Sequence, residues 1–459
     1  MNKDTQTQAH TIIHSQLRSN VIRFITAGSV DDGKSTLIGR LLYDTKSILV
    51  DQLESVSKTK YARVTSSDAG IDLALLTDGL EAEREQGITI DVAYRYFSTP
   101  NRKFIVADAP GHEQYTRNLV TGASQSDIAV ILVDATRIDL NTFPATLLAQ
   151  TKRHTAIVHL LGLRHVVFAI NKMDLVQFDQ SVFNAITSAI EDLAQKIGLS
   201  APTLIPISAL SGANVVNQSL DMSWYQGPIL LKWLESVDTT PYSETTALRF
   251  PVQLIARQDG SDSNNFRGYL GQVESGSVKK GQKIRVMPGS LDATVARIYL
   301  SNQPYSGGAD HDNTVDVGHS GQSLAIELNE DIDVSRGCLF ISADDPNPPV
   351  VTKHLSADIC WLDNEPLSLS RKYALRNTSN TVVAKVKAIV QVLDILTLSQ
   401  KSSASSLSTN EIGRIELVLQ NPIATDLFTQ SQSTGSFILI DEVTNHTVAA
   451  GMIRAVSGT

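Results

Sequence analysis

The first half of the chain is punctuated by near-continuous apolar runs. They are VIRFITAG (21–28), KFIVADAP (103–110), IAVILVDA (128–135), HVVFAINK (165–172) and TLIPISAL (203–210). A strand covered on both faces has no solvent side to keep polar, so these runs predict strands of a parallel sheet buried between helices. Helical patterns lie between them, one opening at Lys34 and another spanning QSVFNAITSAIEDLAQKIG (180–198). Strand and helix in alternation predict an α/β domain. It closes with PILLKWLESV (228–237) and a polar linker, DTTPYSETT. From Arg249 the texture changes to short alternating runs set apart by Gly, Asn, Asp and Ser: FPVQLIA, GYLGQVESG, QKIRVMPG, ATVARIYL and SLAIEL. That pattern predicts an antiparallel barrel or sandwich. ADDPNPPV (343–350) marks a second break, followed by TVVAKVKAIVQVLD, RIELVLQ and FILIDEV. The expected architecture is multidomain, α/β plus all-β. A polar extension (1–20) precedes an α/β domain (21–240) and two antiparallel β domains (246–345 and 350–459), with Ser-rich QKSSASSLST (400–409) as a surface loop.

The loop GSVDDGKST (28–36) lies between the first strand and the first helix. Gly28, Gly33, Lys34 and Ser35 satisfy G-x-x-x-x-G-K-[ST], and the strand–loop–helix setting is the context that gives the motif meaning. Glycines let backbone amides approach phosphates, and a helix N-terminus favours an anion. In this reading Lys34 bridges the β- and γ-phosphates, Ser35 ligates Mg²⁺ and Thr36 contacts the α-phosphate. A second stretch, GSVKKGQK (276–283), looks alike but puts Gln282 where the lysine belongs, among β-strands; it reads as a barrel turn with Lys279 and Lys280 solvated.

Three more short motifs follow in order, each at a strand end. DAPGH (108–112) supplies D-x-x-G, with Asp108 holding Mg²⁺ through water and the Gly111 amide on the γ-phosphate. NKMD (171–174) places Asp174 to accept guanine N1–H and N2–H₂, which adenine does not present; Asn171 braces the base loops and the Lys172 stem covers the base. SAL, Ser208 to Leu210, offers backbone amides near Ala209 to guanine O6. A buried acceptor facing the wrong base is left unpaired, so discrimination against adenine is expected to be strong. EREQGITID (83–91) adds Thr89, whose hydroxyl can reach Mg²⁺ and whose amide can reach the γ-phosphate, in a segment that orders with GTP. His112, next to the D-x-x-G, is placed to orient the attacking water, whereas Arg84 reads as a solvated charge. The catalytic set is then His112, Lys34 and Thr89, and the metal set is Ser35, Thr89 and Asp108.

Composition narrows the partners. A chain of 459 residues suggests about two to four domains. Lys+Arg number 39 against 48 Asp+Glu, a net −9, which gives no overall basic footprint for nucleic acid. The two cysteines, Cys338 and Cys360, lack metal-ligand spacing and suit a reducing compartment. MNKDTQTQAHTIIHSQLRSN has no apolar core of a signal peptide, and no run is long enough to span a bilayer. A cytoplasmic protein without a membrane partner is expected.

At GSVDDGKSTLIGRLLYDTKSI, DGLEAEREQGITIDVAYRYF and ADAPGHEQYTRNLVTGAS the chain resembles the translation-factor-like P-loop GTPases. More narrowly it resembles the GTPase (large) subunits of bacterial sulfate adenylyltransferase, or ATP sulfurylase, through WYQGPILLKWLE, FRGYLGQVESGSVKKG, DIDVSRG, NEIGRIELVLQNPIA and GSFILIDEVTNHTVAAGMI. The resemblance implies a G domain with two β-barrels that hydrolyses GTP. It implies that a small, ATP-using subunit makes adenosine 5′-phosphosulfate in a heterodimer or higher assembly. Shared G-domain motifs leave a second reading, a translation factor carrying aminoacyl-tRNA. One departure is DATRIDLNTFPATLLAQTKRH (134–154), longer than expected and read as an inserted loop; another is Cys338, where an acidic residue is expected.

Two adjacent aspartates in a phosphate loop are electrostatically odd. Either Asp31 and Asp32 face solvent or cap nearby amides, or Asp31 matches a loop aspartate that in related GTPases helps hold a monovalent cation beside the phosphates. Asp32 has no role assigned by the sequence.

Overall fold

The structure, a computed structural model, describes residues 21–48, 73–76, 91–112, 115–139, 142, 145–200, 202–239, 247–258, 266–300, 314–394, 400–402 and 404–457. The chain divides into two compact units between Thr239 and Thr240. In the first, strands β1 (Val21–Ala27), β2 (Ala93–Ser98), β3 (Lys103–Asp108), β4 (Ile128–Asp134), β5 (His165–Asn171) and β6 (Thr203–Pro206) form one sheet in the order β2-β3-β1-β4-β5-β6. All neighbours are parallel except β2, which runs antiparallel along β3. Helices α1 (Lys34–Asp44), α2 (Thr116–Ser124), α3 (Ala149–Leu160), α4 (Gln180–Ile197) and α5 (Leu230–Ser236) complete the unit.

Burial explains which elements the sequence announces. Every residue of β4 is buried, which is why its run has no polar interruption. Apolar Leu37, Ile38 and Leu41 recur at helical spacing on the buried side of α1. Helix α4 starts where the Asp179 side chain accepts from Ser181 N (2.7 Å) and stops at left-handed Gly198. Strand β2 gives a weaker signal because it alternates exposed and covered residues at the sheet edge, with Phe97 stacked on Phe104. The supposed loop over 134–154 is corrected in part: its last residues are the first turns of α3, blurred in sequence because polar Thr151, His154 and Thr155 lie buried in that helix. Likewise TLIPISAL is strand only to Pro206, and Gln400–Ser402 is a short strand rather than loop.

This strand order fixes where a ligand can sit. From β1 the chain goes to one side for β2 and β3 and to the other for β4, β5 and β6. Connections leave in opposite directions at that reversal, opening a crevice beyond the carboxyl ends of the strands. GSVDDGKST, Asp108, Asp134, Asn171 and Ser208 all lie at or just past those ends.

The second unit is all-β. Strands β7 (Phe250–Pro251), β8 (Leu254–Gln258), β9 (Phe266–Gln272), β10 (Ser277–Lys279), β11 (Lys283–Met287), β12 (Leu291–Leu300), β13 (Val317–His319), β14 (Ser323–Leu328) and β15 (Leu339–Ser342) make a seven-stranded sheet and a β10–β13 ribbon. The motif-like GSVKKGQK is a turn of this sheet system, with Gly281 left-handed and Lys279 and Lys280 exposed. Strands β16 (Val350–Trp361), β17 (Lys372–Asn377), β18 (Asn380–Leu393), β19 (Gln400–Ser402), β20 (Ile412–Thr425), β21 (Ser436–Asp441) and β22 (Thr447–Ser457) form the other, and a β17–β18 pairing closes six of them into a barrel. Trp361, Tyr373, Leu417 and Ile453 fill its interior. Both cysteines are free, Cys360 buried and Cys338 partly so. No helix among the described residues is long and apolar enough to cross a membrane.

One buried cluster ties the two sheet systems of this unit together. Arg249 makes a bidentate pair with Asp426 (2.8 and 2.9 Å), reaches Asp345 at 2.7 Å and donates to Asn347 O at 3.1 Å. Removing one partner of a buried ion pair leaves uncompensated charge, here two carboxylates. Arg249→Ala should therefore lower the unfolding free energy of the β unit by about 3–5 kcal/mol in urea denaturation. A second change, Asp426→Asn, should recover part of it, and a loss below about 1 kcal/mol would mark the cluster as no better than a surface pair.

Candidate nucleotide-binding site

The loop after β1 adopts a shape that few residues tolerate. Gly28 (φ 146°), Asp31 (φ 66°) and Gly33 (φ 94°) all have positive φ. A Cβ at Gly33 would lie 2.4 Å from Asn171 Nδ2, and one at Gly28 would lie 2.8 Å from Leu132 O, so only glycine fits either place. Helix α1 begins at Lys34, and the first amides of a helix have no intrahelical partner, which leaves them to face a ligand. Lys34 is buried, its ammonium donating to Gly28 O (3.2 Å) and Ser29 O (2.8 Å). Burial holds its pKa below the usual lysine range against the pull of Asp108, Asp32 and Asp31. Ser35 and Thr36 are half-buried in the first turn of α1.

From β3 comes the acidic side. Asp108 is buried at the strand end opposite Thr26, whose hydroxyl donates to Asp108 Oδ1 at 3.0 Å. A Cβ on Gly111 would meet Lys34 Nζ at 2.6 Å and Val30 N at 2.9 Å, so this backbone lies directly against the phosphate loop. His112 is half-buried, its ring edge-on to Tyr115 at 6.2 Å. Thr89 and Arg84 lie outside the described residues.

Asn171 joins three loops. Its Nδ2 donates to Asp32 O at 2.8 Å, and its Oδ1 accepts from Ala209 N at 2.9 Å. The Ala209 amide is thus engaged by Asn171 in this structure. Lys172 is left-handed (φ 63°), with Nζ 2.6 Å from Asp134 Oδ2. Burial pushes the Asp134 carboxyl up, but hydrogen bonds from Lys172 and Thr136 outweigh it and hold the group below the usual range. Asp174 is half-buried in the 3₁₀ turn Met173–Val176. Ser208 is buried, its Oγ accepting from Ser211 N at 3.2 Å, and Leu210 is half-buried.

Several residues that shape the site carry no motif. Arg40, buried on α1, donates through Nε to Ala209 O (3.2 Å) and through Nη2 to Leu210 O. Its sequence signal was a lone charge in the apolar stretch LIGRLL. Asp32 is wholly buried while Asp31 is exposed. Asp32 Oδ2 accepts from Ser29 N at 2.6 Å; Oδ1 has no hydrogen bond and lies 3.8 Å from Arg137 Nη1. Burial, resisted mainly by Lys34, raises the Asp32 pKa to about 6. His154 on α3 accepts from Gly28 N through Nδ1 at 3.1 Å, and burial with the Lys34 charge pushes its pKa down to about 3. Among the described residues no group of three or more His, Cys, Asp or Glu could hold a metal ion.

Residues 19–247 match the elongation factor Tu GTP binding domain family, and residues 354–454 match the GTP-eEF1A C-terminal domain-like family. The chain is 44% identical over 456 residues to sulfate adenylyltransferase subunit 1 of Aliarcobacter butzleri, covering 98% of this chain and 92% of that protein. It is likewise 44% identical to sulfate adenylyltransferase subunit 1 of Photorhabdus laumondii, over 97% of this chain and 87% of that one. A looser likeness, 17% identical with a TM-score of 0.49, joins it to the S. cerevisiae Ski7 GTPase-like domain bound to GTP, over 96% of this chain and 99% of that one.

The buried Asp32 carboxyl has a measurable signature. Its folded pKa of about 6 lies above the ordinary 3.8, so the charged form opposes folding in full above about pH 6, and the opposition fades as pH falls toward 4. Asp32→Asn keeps an acceptor for Ser29 and removes the charge. Thermal melts should show it stabilising at about pH 8, by up to roughly 3 kcal/mol, with the gain mostly gone near pH 4.5. The same gain at both pH values would rule out burial of charge as its cause.

Proposed function

We infer the function from kinship and site together: the chain belongs to the sulfate adenylyltransferase subunit 1 family, within the translation-factor-like GTPases. It is the GTP-binding, GTP-hydrolysing subunit of sulfate adenylyltransferase, also called ATP sulfurylase. Its partner in this reading is the small, ATP-using subunit, which joins ATP and sulfate into adenosine 5′-phosphosulfate and pyrophosphate. The phosphosulfate anhydride lies uphill of ATP and sulfate, and GTP hydrolysis coupled to the partner's conformational steps draws the reaction forward. The pair belongs in the cytoplasm, where the free cysteines stay reduced. The aminoacyl-tRNA alternative is not favoured, since the full-length relatives are adenylyltransferase subunits.

The observation that carries the site reading is the phosphate loop, folded with Lys34 inside it and tied by Asn171 to the loops after β5 and β6. Lys34 would turn from the loop carbonyls to the β- and γ-phosphates, with the Gly111 amide on the γ-phosphate. Mg²⁺ suits the oxygen donors of Ser35 and Asp108, with Thr89, and when bound neutralises charge developing on the γ-phosphoryl group. His112 orients the water that attacks the γ-phosphorus, and the products are GDP and phosphate. Asp174 reads guanine N1–H and N2–H₂, while the Lys172 stem, its tip held by Asp134, lies along the base. Asp31, the exposed member of the aspartate pair, would help hold a monovalent cation beside the phosphates, as a loop aspartate does in related GTPases.

Co-expressed with the small subunit, the chain should co-purify with it, and GTP should accelerate adenylylsulfate formation. Lys34→Ala should abolish that stimulation and Asp174→Asn should shift preference toward xanthine nucleotides; a Lys34→Ala complex still stimulated by GTP would overturn the site assignment. For the cation, hydrolysis should be faster in K⁺ than in Na⁺ or Li⁺, and Asp31→Asn should lose the difference. Equal rates in the three salts would remove the cation from the site.

A further inference from the structure

A phosphate loop has two faces. Its inward amides serve the ligand, while its outward N–H and C=O groups need other partners, because unpaired backbone groups are costly. In this loop the outer atoms are held one by one. Ser29 N goes to the loop's own Asp32 and Asp32 O to Asn171. The other two come from the stretch after β4. Gly28 N donates to His154 Nδ1 at 3.1 Å, and Val30 O accepts from Arg137 Nη1 at 2.6 Å.

His154 is more than a packed core histidine. It is 1% exposed, and only a neutral imidazole can accept at Nδ1. Burial and the neighbouring Lys34 charge keep it neutral. Accepting at Nδ1 puts the proton on Nε2, which is buried with no hydrogen-bond partner. A leucine would fill that place in α3 with no such orphaned donor, so the histidine's one polar contact is the bond to Gly28. Arg137 sits differently. It is half-exposed, and its guanidinium reaches the loop carbonyl and stands 3.8 Å from the otherwise unbonded Asp32 Oδ1.

We propose that His154 and Arg137 are positioning residues that hold the phosphate loop from its outer face in the shape that grips the nucleotide's phosphates. The proposal rests on the GTP-binding reading above. A loop already in its bound shape loses less freedom on binding, so loosening it weakens the phosphate contacts and leaves the base contacts alone.

The test uses the purified full chain and fluorescently labelled GDP, following release after mixing with excess unlabelled GDP. His154→Leu should speed release about tenfold and raise the KM for GTP, with kcat within about twofold. His154→Asn, whose Oδ1 can stand where Nδ1 stood, should return release close to the wild-type rate. Arg137→Ala, on an exposed side chain, should speed release about threefold. Preference for GDP over ADP should be unchanged in all of them, a split that general loss of structure would not produce. Failure of the wild-type chain to bind labelled GDP would sink the GTP reading and the proposal with it. Binding by the wild type with release unaltered in His154→Leu and Arg137→Ala would overturn the proposal alone. If His154→Leu does not fold, Arg137→Ala and His154→Asn decide: wild-type release in Arg137→Ala then counts against it.

Discussion

A loop meant to grip a polyanion must point its amides inward, and everything around it follows from finding partners for what is left outside. The loop after β1 meets this with left-handed backbone at Asp31 and Gly33 and with ties to residues at or just past the ends of β4 and β5. Its own lysine lies against two loop carbonyls, buried but bonded. The parallel sheet is what makes this possible, because its strand order brings the ends of β1, β3, β4, β5 and β6 to one rim.

Charge near the loop is arranged by burial rather than by sign. Two adjacent aspartates would repel phosphate if both faced it. Instead Asp32 turns inward to a backbone amide and Asp31 stays in solvent. Asp134 is occupied by Lys172 and Thr136. The acidic groups of the site thus act chiefly as internal fasteners, and Asp108, bonded by the Thr26 hydroxyl, is the buried carboxylate at the rim beside Lys34.

Elements buried on both faces were plain in the sequence, since β4 and β5 have no polar side to disguise them. Motif residues were legible too, because Gly33, Lys34 and Asn171 are bound to their places by chemistry and by space. Partners that act across the fold were not. His154 lies 126 residues from Gly28, and nothing in its neighbours distinguishes it from any buried helix position. Arg40 meets Ala209 across 169 residues, a pairing that only the folded α/β unit brings about. Strand β2 escaped notice because an edge strand with alternating exposure looks like many surface segments.

Asn171 holds the phosphate loop with one end of its amide and the loop after β6 with the other. In the function proposed above, grip on phosphate and choice of base would therefore both lean on one residue. Any change at this position would disturb both bonds at once. A change at Asp174, the residue proposed to read the base, would leave both of these bonds in place.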